Sequence, residues 1–168
     1  MLIETERLVI RNFVENDAAD LFEILGDDET MKYCEPAYDF IKTENFLKDF
    51  CIKRKGAVGA VLKETEKLIG YILFSEYEKD IYEIGWFFNR NYWNRGFAYE
   101  SCRAVIEYAF GCLRAKKVFA ETIDGEKSVH IMKKLGMKQE SAEPGTEKNC
   151  EGEFSVLYVY SIKNPNFR

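Results

Sequence analysis

The segment from Asp80 to Thr122 places the strongest constraint on the fold of this chain. Asp80–Phe88 has the composition of a strand, a polar loop follows it, and an apolar stripe at helical spacing begins at Ala98. A second strand-like run, Lys117–Thr122, comes after the helix. Because a strand–helix–strand unit joins two parallel strands through a right-handed crossover, the segment predicts one parallel pair within the sheet.

The flanking sequence predicts mostly antiparallel structure. The expected elements are a strand at Arg7–Phe13, a helix from Asn16 or Asp17 to Gly26, a helix capped by Thr43 and ended by Gly56, strands at Ala57–Lys63 and Leu68–Glu76, a helix from Asp124 to Leu135, and strands near Met137 and at Phe154–Ile162. We therefore expect one domain over residues 1–168, of mixed α/β class. Its central twisted sheet should have about six to seven strands and about four flanking helices.

Composition and charge exclude several classes of protein. The formal net charge is −5 and no basic stripe stands out, so nucleic acid is not an expected partner. No apolar run reaches membrane-spanning length and the first residues lack the layout of a signal peptide, which favours a cytoplasmic protein. The five cysteines are widely spaced and there is one histidine, so the sequence predicts free thiols and no metal site.

The loop between the strand and the helix carries a candidate anion site. Gly96 stands where the helix must begin, and a glycine lets a ligand approach the backbone closely. The first turn of a helix has unpaired N–H groups and a partial positive charge, which suit a phosphate. Arg90 and Arg95 can add direct charge. A lone glycine before a helix is also typical of a simple tight turn.

The same region resembles the central motif of the GNAT-type N-acetyltransferases, in the runs Glu83–Phe88 and Tyr92–Glu100. The family signature is Gln or Arg, two residues, Gly, one residue, and Gly or Ala. Trp93, Gly96 and Ala98 occupy these positions, and the RimJ/RimL-like branch tolerates an aromatic residue at the first. Further runs resemble that branch in the expected order: Glu4–Leu8, Ser128–Met137, and Gly152–Glu153–Phe154 followed by Tyr158–Ser161.

The resemblance implies a GNAT-like fold and an acetyl-CoA site. The pantetheine arm would lie along the central strand as an added strand, and the pyrophosphate would lie on the amides of Arg95 through Tyr99. The cofactor-binding residues implied are Trp86, Phe87, Phe88, Arg90, Arg95, Gly96, Phe97, Ala98, Tyr99, Ser128, Met132 and Lys133.

Two positions depart from the family pattern. The family often has an asparagine three residues before the serine that matches Ser128, where this chain has Gly125. The branch tends to have a His-Asp pair in the last strand, where this chain has Ser155 and Val156. These departures affect the prediction of the acceptor substrate more than the prediction of the cofactor.

Acetyl transfer to an amine needs a neutral amine, a donor for the developing oxyanion and a proton for the departing thiolate. Glu83 is the first candidate for the general base and Glu147 the second, although either can be an ordinary surface carboxylate. Ser128 is a candidate proton donor, and its alternative role is a structural hydrogen bond at the start of a helix. A backbone N–H of Phe87 or Phe88 can hold the oxyanion.

Other residues are weaker candidates. Tyr158 and Tyr160 can serve as the acid, or they are part of the core. His130 can be an exposed helical residue rather than a base. The acidic run Asp27–Glu29, with Tyr33 and Tyr38 nearby, can wall the acceptor site and attract a cationic amine, or it is an ordinary acidic loop.

The predicted function is direct transfer of an acetyl group from acetyl-CoA to a primary amine, either a protein N-terminus or a small amine. The alternative is a catalytically silent acyl-CoA-binding or regulatory domain that keeps the GNAT-like fold. A nucleotide-binding module is a third reading, but the chain has no Gly-x-x-x-x-Gly-Lys run. Both a monomer and a homodimer are compatible with the sequence.

Overall fold

The computed structural model describes residues 1–148 and 154–167, without the side chains of residues 145–148 and 154. Within this part of the chain, eight strands form one sheet in the order β1-β2-β3-β4-β5-β6-β8-β7. The strands are β1 Leu2–Glu4, β2 Leu8–Arg11, β3 Ala57–Leu62, β4 Leu68–Glu78, β5 Ile81–Phe88, β6 Lys117–Thr122, β7 Lys138–Lys148 and β8 Phe154–Lys163.

Five α-helices connect the strands in the described residues: α1 Ala18–Leu25, α2 Asp28–Met31, α3 Phe40–Phe46, α4 Phe97–Gly111 and α5 Lys127–Lys134. A π-helical segment, Leu47–Lys53, continues α3. The mixed α/β class is confirmed. The additional strand is the short β1, which pairs with β2, and the additional helix is the single turn of α2 in a stretch that the sequence predicts to be irregular.

The predicted cap of the second helix is wrong. Asp39, not Thr43, caps α3, since its carboxylate accepts a hydrogen bond from the Lys42 amide at 2.7 Å. Thr43 lies one turn further on, fully buried, and its hydroxyl donates to the Asp39 carbonyl at 2.9 Å. Both residue types favour N-caps, so composition alone does not choose between them.

The sheet separates two apolar clusters. On one face, α4 and α5 cover residues such as Ile72, Ile84 and Val118. On the other face, α1, α3 and the π-helical segment cover a cluster that includes Leu21, Leu47 and Tyr71. Because side chains alternate along a strand, neighbours on β4 and β5 contribute to opposite clusters.

The predicted parallel pair is β5 and β6, and it is short. Three positions pair, from Ile81 with Lys117 to Glu83 with Phe119. Beyond them β5 stays paired with β4 as far as Phe88, while β6 stays paired with β8 as far as Thr122. The two strands therefore diverge, and within the described chain the edge of β5 that faces β6 has no strand partner from Ile84 to Phe88.

Candidate active site

A cavity of about 1010 Å³ occupies the gap between β5 and β6 and reaches both faces of the sheet. On one face it is lined by the first residues of α4 and by α5, which we call the α4 half. On the other face it is lined by residues of α2, α3, the π-helical segment and β4, by Glu35 and Tyr38 between α2 and α3, and by Glu83 and Phe87 of β5, which together we call the α2–α3 half. The gap therefore joins two chemically different surfaces.

The start of α4 presents its amides to the cavity. Gly96 has φ +82°, a left-handed conformation that favours glycine, and its carbonyl accepts from the Glu100 amide at 3.0 Å. No side chain of the described residues caps this end of the helix. Because Gly96, Phe97, Ala98 and Tyr99 all line the cavity, this end of α4 brings to it the unpaired amides and partial positive charge that suit an anion.

A polar network fixes the start of α4 to the N-terminal strands. The Glu100 carboxylate accepts from the Thr5 hydroxyl at 2.6 Å, the Arg7 amide at 2.9 Å and Arg7 Nε at 2.7 Å. Arg7 also donates to the Arg95 carbonyl at 2.9 Å, and its guanidinium lies 4.3 Å from the centre of the Phe97 ring. Burial opposes ionisation of Glu100, but these hydrogen bonds outweigh it and lower the pKa of its carboxyl.

Trp93 explains how an aromatic residue fits the first position of the motif. Its indole N–H donates to the Phe88 carbonyl at 2.7 Å, which holds the loop against the end of β5. The Lys127 ammonium lies 5.0 Å from the centre of the Trp93 ring. Trp93 therefore links the last residue of β5 to the first turn of α5.

Asp124 organises the start of α5. Its carboxylate accepts from the amides of Glu126, Lys127 and Ser128 at 3.0 to 3.1 Å, and from the Ser128 hydroxyl at 3.2 Å. A side chain at Gly125 would place its Cβ 3.2 Å from the Tyr158 ring. A residue with a side chain at this position would therefore have to displace the Tyr158 ring by a few tenths of an ångström.

Most of the residues predicted to hold the cofactor line the cavity: Trp86, Phe87, Phe88, Gly96, Phe97, Ala98, Tyr99, Ser128 and Met132. Three do not. Arg90 forms an ion pair with Asp27 at 3.2 Å, Arg95 lies over the rings of Tyr92 and Phe97, and Lys133 is exposed.

The sequence reasoning did not single out two lysines that do line the cavity, Lys127 and Lys134. Lys134 lies 4.5 Å from the centre of the Tyr99 ring, so the two ammonium groups stand at opposite ends of α5 beside the α4 half. Their position on the α5 segment could have indicated this role, because Lys127 is adjacent to Ser128 and Lys134 is adjacent to Lys133.

Glu83 lies at the point where β5 and β6 part and lines the cavity. By alternation along β5, its side chain shares the α2–α3 face with Phe87, and Gly85 between them has no side chain to separate them. Burial, and then the negative charge of Glu121, raise the pKa of the Glu83 carboxyl. A half-buried carboxylate with a raised pKa suits a general base near neutral pH.

The other candidates lie in different surroundings. Glu147 lies in 145–148, so its side chain is outside the described residues. His130 is exposed and lines the cavity from α5. The Tyr160 hydroxyl donates to Gln139 at 2.9 Å, and neither Tyr160 nor Tyr158 lines the cavity.

The acidic run Asp27–Glu29 divides into separate roles. Asp27 caps α2 through the Thr30 amide at 2.9 Å and binds Arg90, whereas Glu29 lines the cavity.

In the described residues, no helix is long and apolar enough to cross a membrane.

Comparison with known proteins gives consistent results. Residues 7–138 match the family model of the acetyltransferase (GNAT) domain. The chain is 37% identical to the uncharacterized N-acetyltransferase YnaD of Bacillus subtilis (strain 168), over 96% of each chain. A GNAT-family acetyltransferase from Bacillus anthracis superposes with a TM-score of 0.89 at 29% identity, covering 98% of this chain and 99% of the other.

A more distant structure shares the fold. RimL, a ribosomal L7/L12 alpha-N-protein acetyltransferase whose structure contains coenzyme A, has a TM-score of 0.82 at 13% identity. The coverage is 97% of this chain and 98% of RimL. At this identity the likeness concerns the architecture alone.

Proposed function

Since the chain belongs to the GNAT acetyltransferase family and is an acetyltransferase, we propose that it moves the acetyl group of acetyl-CoA directly to a primary amine. The observation that carries the proposal is the continuity of one cavity. It runs from the uncapped start of α4, through the gap between β5 and β6, to the half-buried carboxylate of Glu83. A donor on one face of the sheet can thus meet an acceptor on the other.

The residues of the α4 half suit the chemistry of acetyl-CoA. The amides of the first turn of α4 would hold the pyrophosphate, with Lys127 and Lys134 as the nearest lining cations. The edge of β5 at Trp86–Phe88, which lacks a strand partner, would bind the pantetheine arm as a further strand does, through groups other than the Phe88 carbonyl that Trp93 engages. Arg90 and Arg95 would act on the shape of the loop rather than on the phosphates, because their side chains are engaged elsewhere.

The reaction follows from proton and charge balance. The neutral amine attacks the thioester carbonyl, a C–N bond forms, and the negative charge on oxygen is held by the backbone N–H of Phe88, which faces the gap, whereas that of Phe87 is directed at Tyr71 on β4. The C–S bond then breaks, Glu83 takes the proton that the amine loses, and the thiolate gains a proton. Ser128 could supply that proton only by giving up its hydrogen bond to Asp124.

A catalytically silent acyl-CoA-binding domain is the second candidate. The observation that favours it is Gly125, which lies against the Tyr158 ring and lacks the side-chain amide common in the family. On this reading the cofactor would bind and no acceptor would turn over.

Two measurements separate the proposals. Thiol release from acetyl-CoA should require an added amine, and calorimetry should show binding of CoA in preference to ATP. Binding of CoA without turnover of any amine or peptide N-terminus would establish the silent domain. Preference for ATP would overturn the acetyl-CoA site itself.

A further inference from the structure

The α2–α3 half of the cavity has aromatic walls. The rings of Tyr38, Phe46, Tyr71 and Phe87 form a continuous series with centroids 5.6 Å apart from one ring to the next. Phe50 stacks on Phe46 at 5.1 Å, and all five residues line the cavity. Such a surface favours a flat or apolar body over a hydrated one.

Tyr71 adds one polar group to these walls. The residue is only 4% exposed and lines the cavity, yet no hydrogen bond engages its hydroxyl within the described chain. No buried side-chain nitrogen or oxygen in the described residues lacks a partner, so this hydroxyl is open to the cavity. Burial raises the pKa of Tyr71, which keeps the hydroxyl protonated and able to donate.

The charge distribution of this half favours a cation. Glu83 is the half-buried carboxylate, and Glu29 lines the rim. Glu35, also at the rim, is already engaged by the Tyr38 hydroxyl at 2.5 Å and by Lys42 at 3.0 Å. The cationic residues that line the cavity, Lys127 and Lys134, both belong to α5 on the opposite face.

A carboxylate on the acceptor would therefore meet aromatic rings and acidic side chains without a counter-ion, which is costly away from water. A second ammonium group could find a carboxylate only at the rim, at Glu29, so it gains nothing from the aromatic walls that an apolar body would contact. An amine with an apolar body matches both the aromatic walls and the carboxylate of Glu83.

We propose that the acceptor is a small primary amine with an aromatic or similarly apolar body and no carboxylate, and that the Tyr71 hydroxyl hydrogen-bonds it. This inference rests on the proposed acetyl transfer, because it assigns the acceptor of that same site. The ammonium form is attracted by Glu83, gives one proton to solvent and attacks the thioester as the neutral amine, and Glu83 then takes the proton that the nitrogen loses on transfer. The aromatic walls exclude water from the body of the amine.

The test compares acceptors that differ in one feature. Phenethylamine and phenylalanine share a ring and an amine, and phenylalanine adds a carboxylate. Spermidine represents the polyamines. A tripeptide amide with uncharged side chains represents a peptide N-terminus. The kcat/KM of phenethylamine should exceed that of phenylalanine by about tenfold or more, since the carboxylate is unpaired in this half. A higher kcat/KM for phenylalanine, spermidine or the tripeptide would overturn the assignment.

Tyr71→Phe tests the hydroxyl without changing the ring. It should raise the KM of phenethylamine about three- to tenfold and leave the KM of acetyl-CoA unchanged, because one hydrogen bond to the acceptor is lost. Tyr77→Phe is the matched control, since Tyr77 lies on the same strand, is 66% exposed and does not line the cavity. An unchanged KM for phenethylamine in Tyr71→Phe would show that the Tyr71 hydroxyl does not bind the acceptor.

Calorimetry on the CoA-loaded protein separates this inference from the proposed function. Tighter binding of phenethylamine than of phenylalanine, without any thiol release, would support the acceptor class and count against catalysis. Absence of phenethylamine binding, whether or not another amine is acetylated, would overturn the acceptor class alone.

Discussion

The two halves of the cavity are built from different parts of the chain. The α4 half offers backbone groups to the cofactor, namely the amides at the start of α4 and the edge of β5 beyond Glu83, beside the side chains of α5. The α2–α3 half consists of side chains, and its aromatic rings come from the segment before α3, from α3, from β4 and from β5, which meet only in the folded protein. Backbone groups are the same whatever the side chains, whereas a site made of side chains depends on residue identity, so one fold can host different acceptors.

The difference gives each half its own sensitivity to substitution. A change at the start of α4 should affect the cofactor and leave the acceptor walls intact. A change in the α2–α3 half should affect the acceptor or the proton transfer and leave cofactor affinity intact. Substitutions that affect both halves equally would argue against the division.

Gly96→Glu should produce the largest effect. It places a carboxylate where the pyrophosphate is expected, on a residue with φ +82°, so CoA binding should be abolished while the fold persists with a cost of about 1–2 kcal/mol for the left-handed conformation. Calorimetry with CoA and thermal unfolding measure the two effects. Gly111→Glu at the other end of α4 is the control, because nothing lies within 4 Å of a Cβ there.

Glu83→Gln should lower kcat by about a hundredfold or more while CoA binds normally, because the amide cannot accept the proton of the amine. The raised pKa of Glu83 means that its ionised form opposes folding once the pH exceeds the usual glutamate range. The glutamine variant should therefore be slightly more stable than the parent at neutral pH. Glu78→Gln, at the exposed end of β4, is the control. An unchanged kcat in Glu83→Gln would show that another residue is the general base.

Glu100→Gln should lower the free energy of unfolding by about 1–3 kcal/mol, since it weakens charged hydrogen bonds to Thr5 and Arg7. The pKa of Glu100 is lowered, so its contribution is present above the usual glutamate range and is lost as the pH falls through the lowered pKa. Glu107→Gln removes an exposed pair with Arg103 and should leave urea unfolding unchanged. Equal effects of both substitutions would show that the Glu100 network does not anchor α4.

Glu121→Gln should have the smallest effect. Its charge is a secondary cause of the raised pKa of Glu83, so its removal should move the acidic limb of the kcat/KM profile to lower pH with little change in the plateau. A limb that stays in place would mean that burial alone, or a different residue, sets the pH dependence.

The sequence was informative where local pattern determines structure. The parallel crossover follows from the periodicities of Asp80–Thr122, and the start of α4 follows from Gly96 and the family motif. The cap of α3 could not be chosen between Asp39 and Thr43 from residue preferences, because both are good caps and tertiary packing buries one of them.

The acceptor walls could not be predicted from the sequence. Tyr71 lies in an apolar strand and looks like a core residue, and only the packing of α3 against β4 shows that its hydroxyl opens to the cavity. Arg90 was a reasonable phosphate ligand by charge, but Asp27 is distant in sequence and close in space. Long-range pairings of this kind are set by the fold rather than by spacing along the chain.

The central claim, direct transfer across the gap between β5 and β6, is tested most directly by initial velocities at varied concentrations of acetyl-CoA and of the best amine in the panel. Transfer within a ternary complex predicts double-reciprocal lines that intersect. Parallel lines, together with an acetylated form of the protein detectable by mass spectrometry, would show a covalent enzyme intermediate and contradict the account.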